Sequence, residues 1–273
     1  MFYWIYDIHN AWLVGLFSIA FVGFSWAGML LMRPRLLVFI RGQEGVNELV
    51  GSILSCYGVF YGLLLGLIAV AAYQHYSDTD STVSHEAAQV TALYRDVSQY
   101  PEPERTELQS LLREYVRHVI ENSWPGQQKG TADVEEGNKL GDLLAKLASF
   151  EPKTKGQELL HAESLRAFNQ LSALRRLRVF STTSGIPAIM WYVVIIGGLL
   201  NIMILWFFDM KIIAHMILGG LLSLFIGTVI CLLAAIDKPY RGEVSVGSEP
   251  FREVYENLMG GKVNMPSEEQ PYR

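Results

Sequence analysis

Between Gly51 and Ala72 the chain carries no Asp, Glu, Lys or Arg. At about 1.5 Å per residue a helix over that stretch crosses a hydrocarbon core of about 30 Å, which leaves few folds other than a membrane bundle. Gly58, Gly62 and Gly66 recur every fourth position, one turn on from Ser55, and so share one side of the helix. Small residues in that register let a second backbone come close, which holds helices together in lipid. Glycine is also common in membrane helices for no such reason. Tyr57, Tyr61 and Leu64 or Leu65 lie on another side, available to lipid, core or pore. The helix is expected to run on without a break into a polar helical segment.

Three further apolar stretches complete the pattern. Ala11–Met32 is predicted as the first membrane helix, preceded by Phe2, Tyr3, Trp4 and Tyr6, rings of the kind that settle at a membrane surface. No Lys or Arg precedes Arg33, so the basic start of a secretory signal is missing. Arg33-Pro34-Arg35 is expected to end that helix, with a short link over 36–50. Ile186–Phe208 and Ile213–Ile236 read as the third and fourth crossings, joined by a tight hairpin at Asp209-Met210-Lys211. Ser181–Gly185 should cap the third, with Pro187 in its first turn. Gly219, Ser223, Gly227 and Cys231 form a second stripe of small residues in the fourth.

From about Tyr76 to Gly185 the periodicity changes. Val83, Ala87, Val90, Tyr94 and Val97 step by four and three, the seam of a packed helix. Leu108, Leu112, Tyr115, Val116 and Val119 mark a second helix, which Trp124-Pro125-Gly126 is expected to end. Leu140, Leu143, Leu144 and Leu147 mark a third, and Leu159, Phe168, Leu171 and Leu174 a fourth. No stretch alternates as a strand does. The expected fold is therefore an all-α membrane protein: four transmembrane helices with a helical soluble domain inserted between the second and third. In residues, 1–75 hold helices one and two, 76–185 the helical domain, 186–236 helices three and four, and 237–273 a C-terminal tail. The tail should be ordered to about Met259 and loose around Pro266 and Pro271.

An even number of crossings puts the large domain and both ends on one side. Arg33, Arg35, Arg41 and Lys211 fall on the opposite face, and Arg175, Arg176, Arg178, Lys238 and Arg241 on the domain face, a difference too small to orient the protein. Arg175, Arg176 and Arg178 read either as interfacial anchors or as a basic collar at a vestibule. The four spans hold no charged residue, which argues against a proton-driven transporter acting alone. It fits a pore with apolar walls, or no pore. Asn201 reads as an interhelical hydrogen-bonding residue and His215 as interfacial, while Glu86 and Arg95 each read as a member of a structural salt link or an intersubunit bond.

A net charge of −5 disfavours a nucleic-acid partner. Cys56 and Cys231 each sit in an apolar span and read as small apolar residues. No His/Cys spacing suggests a metal, and no nucleophile elbow or phosphate loop suggests an enzyme or a cofactor.

YGLLLGLIAVAAY at Tyr61–Tyr73, HEAAQVTALYRDV at His85–Val97, Trp124-Pro125, RRLR at Arg175–Arg178 and IPAIMW at Ile186–Trp191 resemble the bacterial bestrophin-like domain family. DKPYRGEVSVGSEPF at Asp237–Phe251 is similar to that family's tail motif, with Tyr240 where phenylalanine is usual. Bestrophins are pentameric ion channels with four membrane helices per subunit and a mostly helical cytosolic domain. The resemblance implies a homo-oligomer, a pentamer, of the bacterial inner membrane, with lipid and inorganic ions as its other partners. It implies a pore lined by the second helix, and Tyr57, Tyr61, Leu64 and Ile68 are the candidate lining positions. Gly58, Gly62, Gly66, Gly219 and Gly227 are the candidate packing positions. The acidic run that binds calcium in animal bestrophins has no counterpart after Asp237, so calcium gating is not expected. A stator-like scaffold that assembles with a separate membrane partner has the same order of parts and stays open as the alternative, as does a membrane sensor.

Overall fold

The structure is a computed structural model that describes residues 9–40 and 44–261. The interfacial rings expected at Phe2, Tyr3, Trp4 and Tyr6, the charge of Arg41, and Pro266 and Pro271 lie outside the described residues. In chain order the helices are α1 (Asn10–Leu31), α2 (Arg33–Ile40), α3 (Val46–Val97), α4 (Glu104–His118), α5 (Trp124–Gln128), α6 (Val134–Ala148), α7 (Lys155–Thr183), α8 (Ala188–Leu205), α9 (Ile212–Ile236) and α10 (Glu249–Glu253). Two five-residue π-turns, Val119–Ser123 and Val254–Leu258, complete the set. The described residues contain no strand. The protein is an all-helical membrane protein, and α1, α3, α8 and α9 carry stretches long and apolar enough to span a bilayer.

The chain divides into two compact units, one of Met1–Tyr76 with Gly185–Ser245 and one of Ser77–Ser184 with Val246–Arg273. The expected tail is thus shared between the two. α3 has 52 residues and passes from the first unit into the second.

In the first unit α1 packs along α9, and the small residues explain how. A Cβ at Gly227 would stand 3.1 Å from the backbone oxygen of Phe17, and one at Gly219 would collide with the Met29 side chain. Gly28 is likewise filled by the Trp206 indole. Phe21, Met29, Ile202, Trp206, Ile226, Ile230 and Leu233 form the core. The chain does not leave the helix for good at Arg33-Pro34-Arg35. Only Met32 interrupts it, and Pro34 sits in the first turn of α2, where its missing N–H costs nothing.

The ends of these helices are tied by polar groups from distant residues. Arg33 donates to the Met210 carbonyl at the α8–α9 hairpin. The Asn47 amide closes on Asp209 in both directions, at 2.9 Å each way. His215, in the first turn of α9, is buried within the protein, and its Nε2 donates to the Leu205 carbonyl at 2.8 Å. The start of α8 is not capped by Ser181–Gly185, because α7 runs through to Thr183 and Ser184 turns back to the Phe180 carbonyl. α8 has no side-chain cap; Asp237 Oδ1 accepts from the Ile186 amide at 2.6 Å, in the segment just ahead of the helix.

In the second unit the seam residues of α3, Val83, Ala87, Val90, Tyr94 and Val97, are all buried. So are Leu108, Leu112, Tyr115 and Val116 of α4, Leu140, Leu143 and Leu147 of α6, and Phe168 and Leu171 of α7. Asp133 caps α6 through the Glu135 amide at 2.9 Å, and Thr154 caps α7 through Gln157 at 3.2 Å. Trp124-Pro125-Gly126 does not end the α4 segment. Pro125 again falls in a first turn, so the backbone continues through a π-turn into α5.

Candidate functional site

The membrane half of α3 has two unlike faces. Tyr61 and Ile68 are each 6% exposed and join the core of the first unit with Leu65 and Val194. The Tyr61 hydroxyl donates to the Val194 carbonyl at 2.8 Å, and Tyr57 donates to Gly197 at 3.3 Å. Gly197 and Gly198 of α8 make room for the Tyr61 ring: a Cβ on Gly197 would stand 2.6 Å from its edge. Tyr57 and Leu64 are half-buried beside them, at the rim of an apolar groove of about 340 Å³ shared with Val193, Ile196 and Leu200.

These four residues are the candidate pore-lining positions of the sequence. They are the face that α3 turns to its own α8. The opposite face is unpartnered: Val59, Leu63 and Val70 are 70%, 61% and 55% exposed. Along its flank, a Cβ added to Gly58, Gly62 or Gly66 would meet nothing within 4 Å. The two glycine stripes therefore differ. Gly219 and Gly227 are filled from within the chain, whereas Gly58, Gly62 and Gly66 present a notch that the chain itself leaves open.

The second constellation lies inside the helical unit. Arg178 is fully buried, its Nε donating to Glu86 Oε2 at 2.7 Å and its Nη2 to Glu86 Oε1 at 3.2 Å and Glu136 Oε1 at 2.5 Å. Arg175 donates to the same Glu136 oxygen at 2.6 Å, and the Tyr115 hydroxyl donates to Glu86 at 3.0 Å. The rings of Trp124 and Phe251 each stand 5.7 Å from the Arg178 guanidinium carbon. Two arginines thus face two carboxylates, so the cluster balances its charge away from water. Burial alone would raise the Glu136 pKa, but the charges of Arg178 and Arg175 outweigh it and hold that carboxyl below its ordinary value.

This corrects the reading of the three arginines as one collar or one row of anchors. Arg178 is an interior cation, Arg175 is committed to Glu136, and Arg176 is the exposed member. Their tight spacing in sequence hid three environments on one helix. Glu86 was legible as a salt-link residue but its partner, 92 positions away, was not. Glu136 carried no signal beyond a first-turn acid. Arg95 is exposed. The motifs around Glu86, Trp124, Arg178 and Phe251 are scattered over the sequence, and their side chains meet at this one guanidinium.

Among the described residues no three His, Cys, Asp or Glu side chains converge as a metal site. A family model described as a Bestrophin-like domain matches residues 19–251. No curated protein matches the chain. A crystal structure of a point variant of a bacterial bestrophin homologue from Klebsiella pneumoniae shares the fold at 11% identity, with TM-score 0.68, over 89% of this chain and 97% of that one. A second variant of a bestrophin homologue from that organism does so at 12% identity and TM-score 0.68, over 91% and 99%. A structure described only as a membrane protein aligns at 12% identity and TM-score 0.64, over 91% and 99%.

Proposed function

The chain belongs to the bestrophin-like domain family, and from that premise we propose that it is a homo-oligomeric ion channel of the bacterial inner membrane. The copies number five, as in bestrophins, and the helical unit faces the cytoplasm. The observation that carries the reading is the unpartnered face of α3. Exposed Val59, Leu63 and Val70, beside the open notch of Gly58, Gly62 and Gly66, are what a helix shows when copies gather around a shared axis.

The pore wall is then Val59, Leu63 and Val70, in place of the tyrosine face. With no charge between Gly51 and Ala72, such a wall holds no ion by charge and gates by wetting and drying of an apolar constriction. Gly58, Gly62 and Gly66 serve as the contact with the neighbouring copy. Arg175 and Arg178, neutralised by Glu136 and Glu86, do not act as an anion collar.

Recording from purified protein in planar bilayers tests the reading. Channel currents that rise when Leu63→Ser wets the wall, and that Ile68→Val leaves alone, are the expected outcome. Silence across salts and voltages refutes it. Copurification of a stoichiometric membrane partner with silent protein would instead favour the scaffold alternative.

A further inference from the structure

The last described helical segment, α10 with the π-turn Val254–Leu258, adds no membrane span and contributes one side chain to the buried charge cluster. Phe251 is fully buried, its ring 6.0 Å from that of Trp124 and 5.7 Å from the Arg178 guanidinium carbon. Tyr255 and Met259 are buried behind it, and Gly261 lies under the Tyr255 ring, where a Cβ would collide. The chain reaches this seat through Lys238–Gly247, a run of bends and turns without a helix, with Gly242 in the left-handed region at φ +83°. The element is held by the burial of Phe251, Tyr255 and Met259, and no continuous helix joins it to α9.

Both sides of the seat carry a π-turn. α10 packs on the π-turn Val119–Ser123, where the Trp124 amide bonds back to the Val119 carbonyl. The π-turn Val254–Leu258 packs on α4, and the Met259 amide bonds back to Val254 at 3.2 Å. A π-turn holds one residue more than the α-helical ladder accommodates, a feature frequent at functional sites.

We propose that Ser248–Met259 is a strap whose docking is transmitted to α3. The route is direct: Phe251 covers one face of the Arg178 guanidinium, and Arg178 holds Glu86 of α3 with two hydrogen bonds. With the strap seated, the guanidinium is dry and its pairing with Glu86 is strong. With the strap lifted, water reaches Arg178, the pair weakens, and the buried carboxylate of α3 hydrates. The strap is thus a conformational input to the helix proposed to line the pore. The input itself does not depend on conduction.

Amide hydrogen exchange on the full-length protein in nanodiscs tests this without recording currents. In the native protein, 248–259 is expected to exchange about tenfold or more faster than the α6 core at 140–147, because it opens without global unfolding. Phe251→Ala should accelerate exchange at 119–128 and at 82–93 of α3, and leave 140–147 unchanged. Phe251→Leu, which keeps the apolar contact but not the ring face, should fall between the two. Exchange of 248–259 at the rate of 140–147 in the native protein overturns the proposal. So does an acceleration by either variant that is uniform over the unit or absent from 82–93. If Phe251→Ala does not fold, the native profile and Phe251→Leu decide.

Discussion

Replacing Arg178 by methionine removes the cation around which the helical unit is built and keeps most of its apolar stem. Breaking a buried ion pair from one side costs about 3–5 kcal/mol, because the partner is left charged and dry. Two contacts soften the loss here. Glu136 keeps Arg175 at 2.6 Å, and Glu86 keeps the Tyr115 hydroxyl at 3.0 Å. The cost should therefore fall near the lower end, about 3 kcal/mol, a drop of roughly 10 °C in the unfolding midpoint of a unit this size. Trp124 is the one tryptophan of the second unit, and it touches the site, so with the other five tryptophans replaced by phenylalanine its fluorescence during urea or thermal unfolding reports on the unit. Arg176→Met, on the exposed face of the same helix, should cost no more than about 0.5 kcal/mol. Adding Glu86→Gln to Arg178→Met should recover about 1–2 kcal/mol, because the orphaned charge is gone. Equal effects of Arg178→Met and Arg176→Met, or a double variant that loses the sum of the singles, would refute the hub.

The two glycine stripes should fail in different ways. Gly227→Val drives a side chain into the α1 backbone and should lower protomer stability by about 1–3 kcal/mol, read by thermal unfolding in detergent, whereas Gly62→Leu should leave that midpoint alone and shift native gels to smaller species. Acid should weaken the helical unit. The folded Glu136 pKa lies below its ordinary 4.5, so its contribution is complete above that value and is lost as pH falls through the lower folded value. Urea midpoints read by Trp124 should fall below about pH 4.5, and Glu136→Gln should flatten that limb; an acid limb unchanged by Glu136→Gln would contradict the assignment.

Much of the architecture was legible because water enforces a pattern. The seam Val83–Val97 of α3 has a polar opposite face, so its buried side could be read in advance. In the membrane half of α3 that contrast vanishes, since a side chain facing lipid is as apolar as one facing the core. Tyr57 and Tyr61 were candidate wall residues only through the family resemblance. Their hydroxyls in fact satisfy themselves on α8 carbonyls, which only the structure reveals. Arg175, Arg176 and Arg178 looked alike in sequence. A run of arginines before a span is ambiguous until Glu86 and Glu136 are brought to it by folding. The π-turns and the Asp237–Ile186 bond left no local signature, as each depends on residues far along the chain or on a one-residue surplus in a helix.

On the proposed function, the open face of α3 is where identical copies meet around a pore. A cryo-electron-microscopy map of the purified protein in nanodiscs tests it most directly. The expected map is a ring in which Val59, Leu63 and Val70 of every copy point to the axis, with Gly58 and Gly62 against a neighbour. A single protomer with that face bathed in lipid, or a ring in which Tyr61 and Ile68 face the axis, would contradict it.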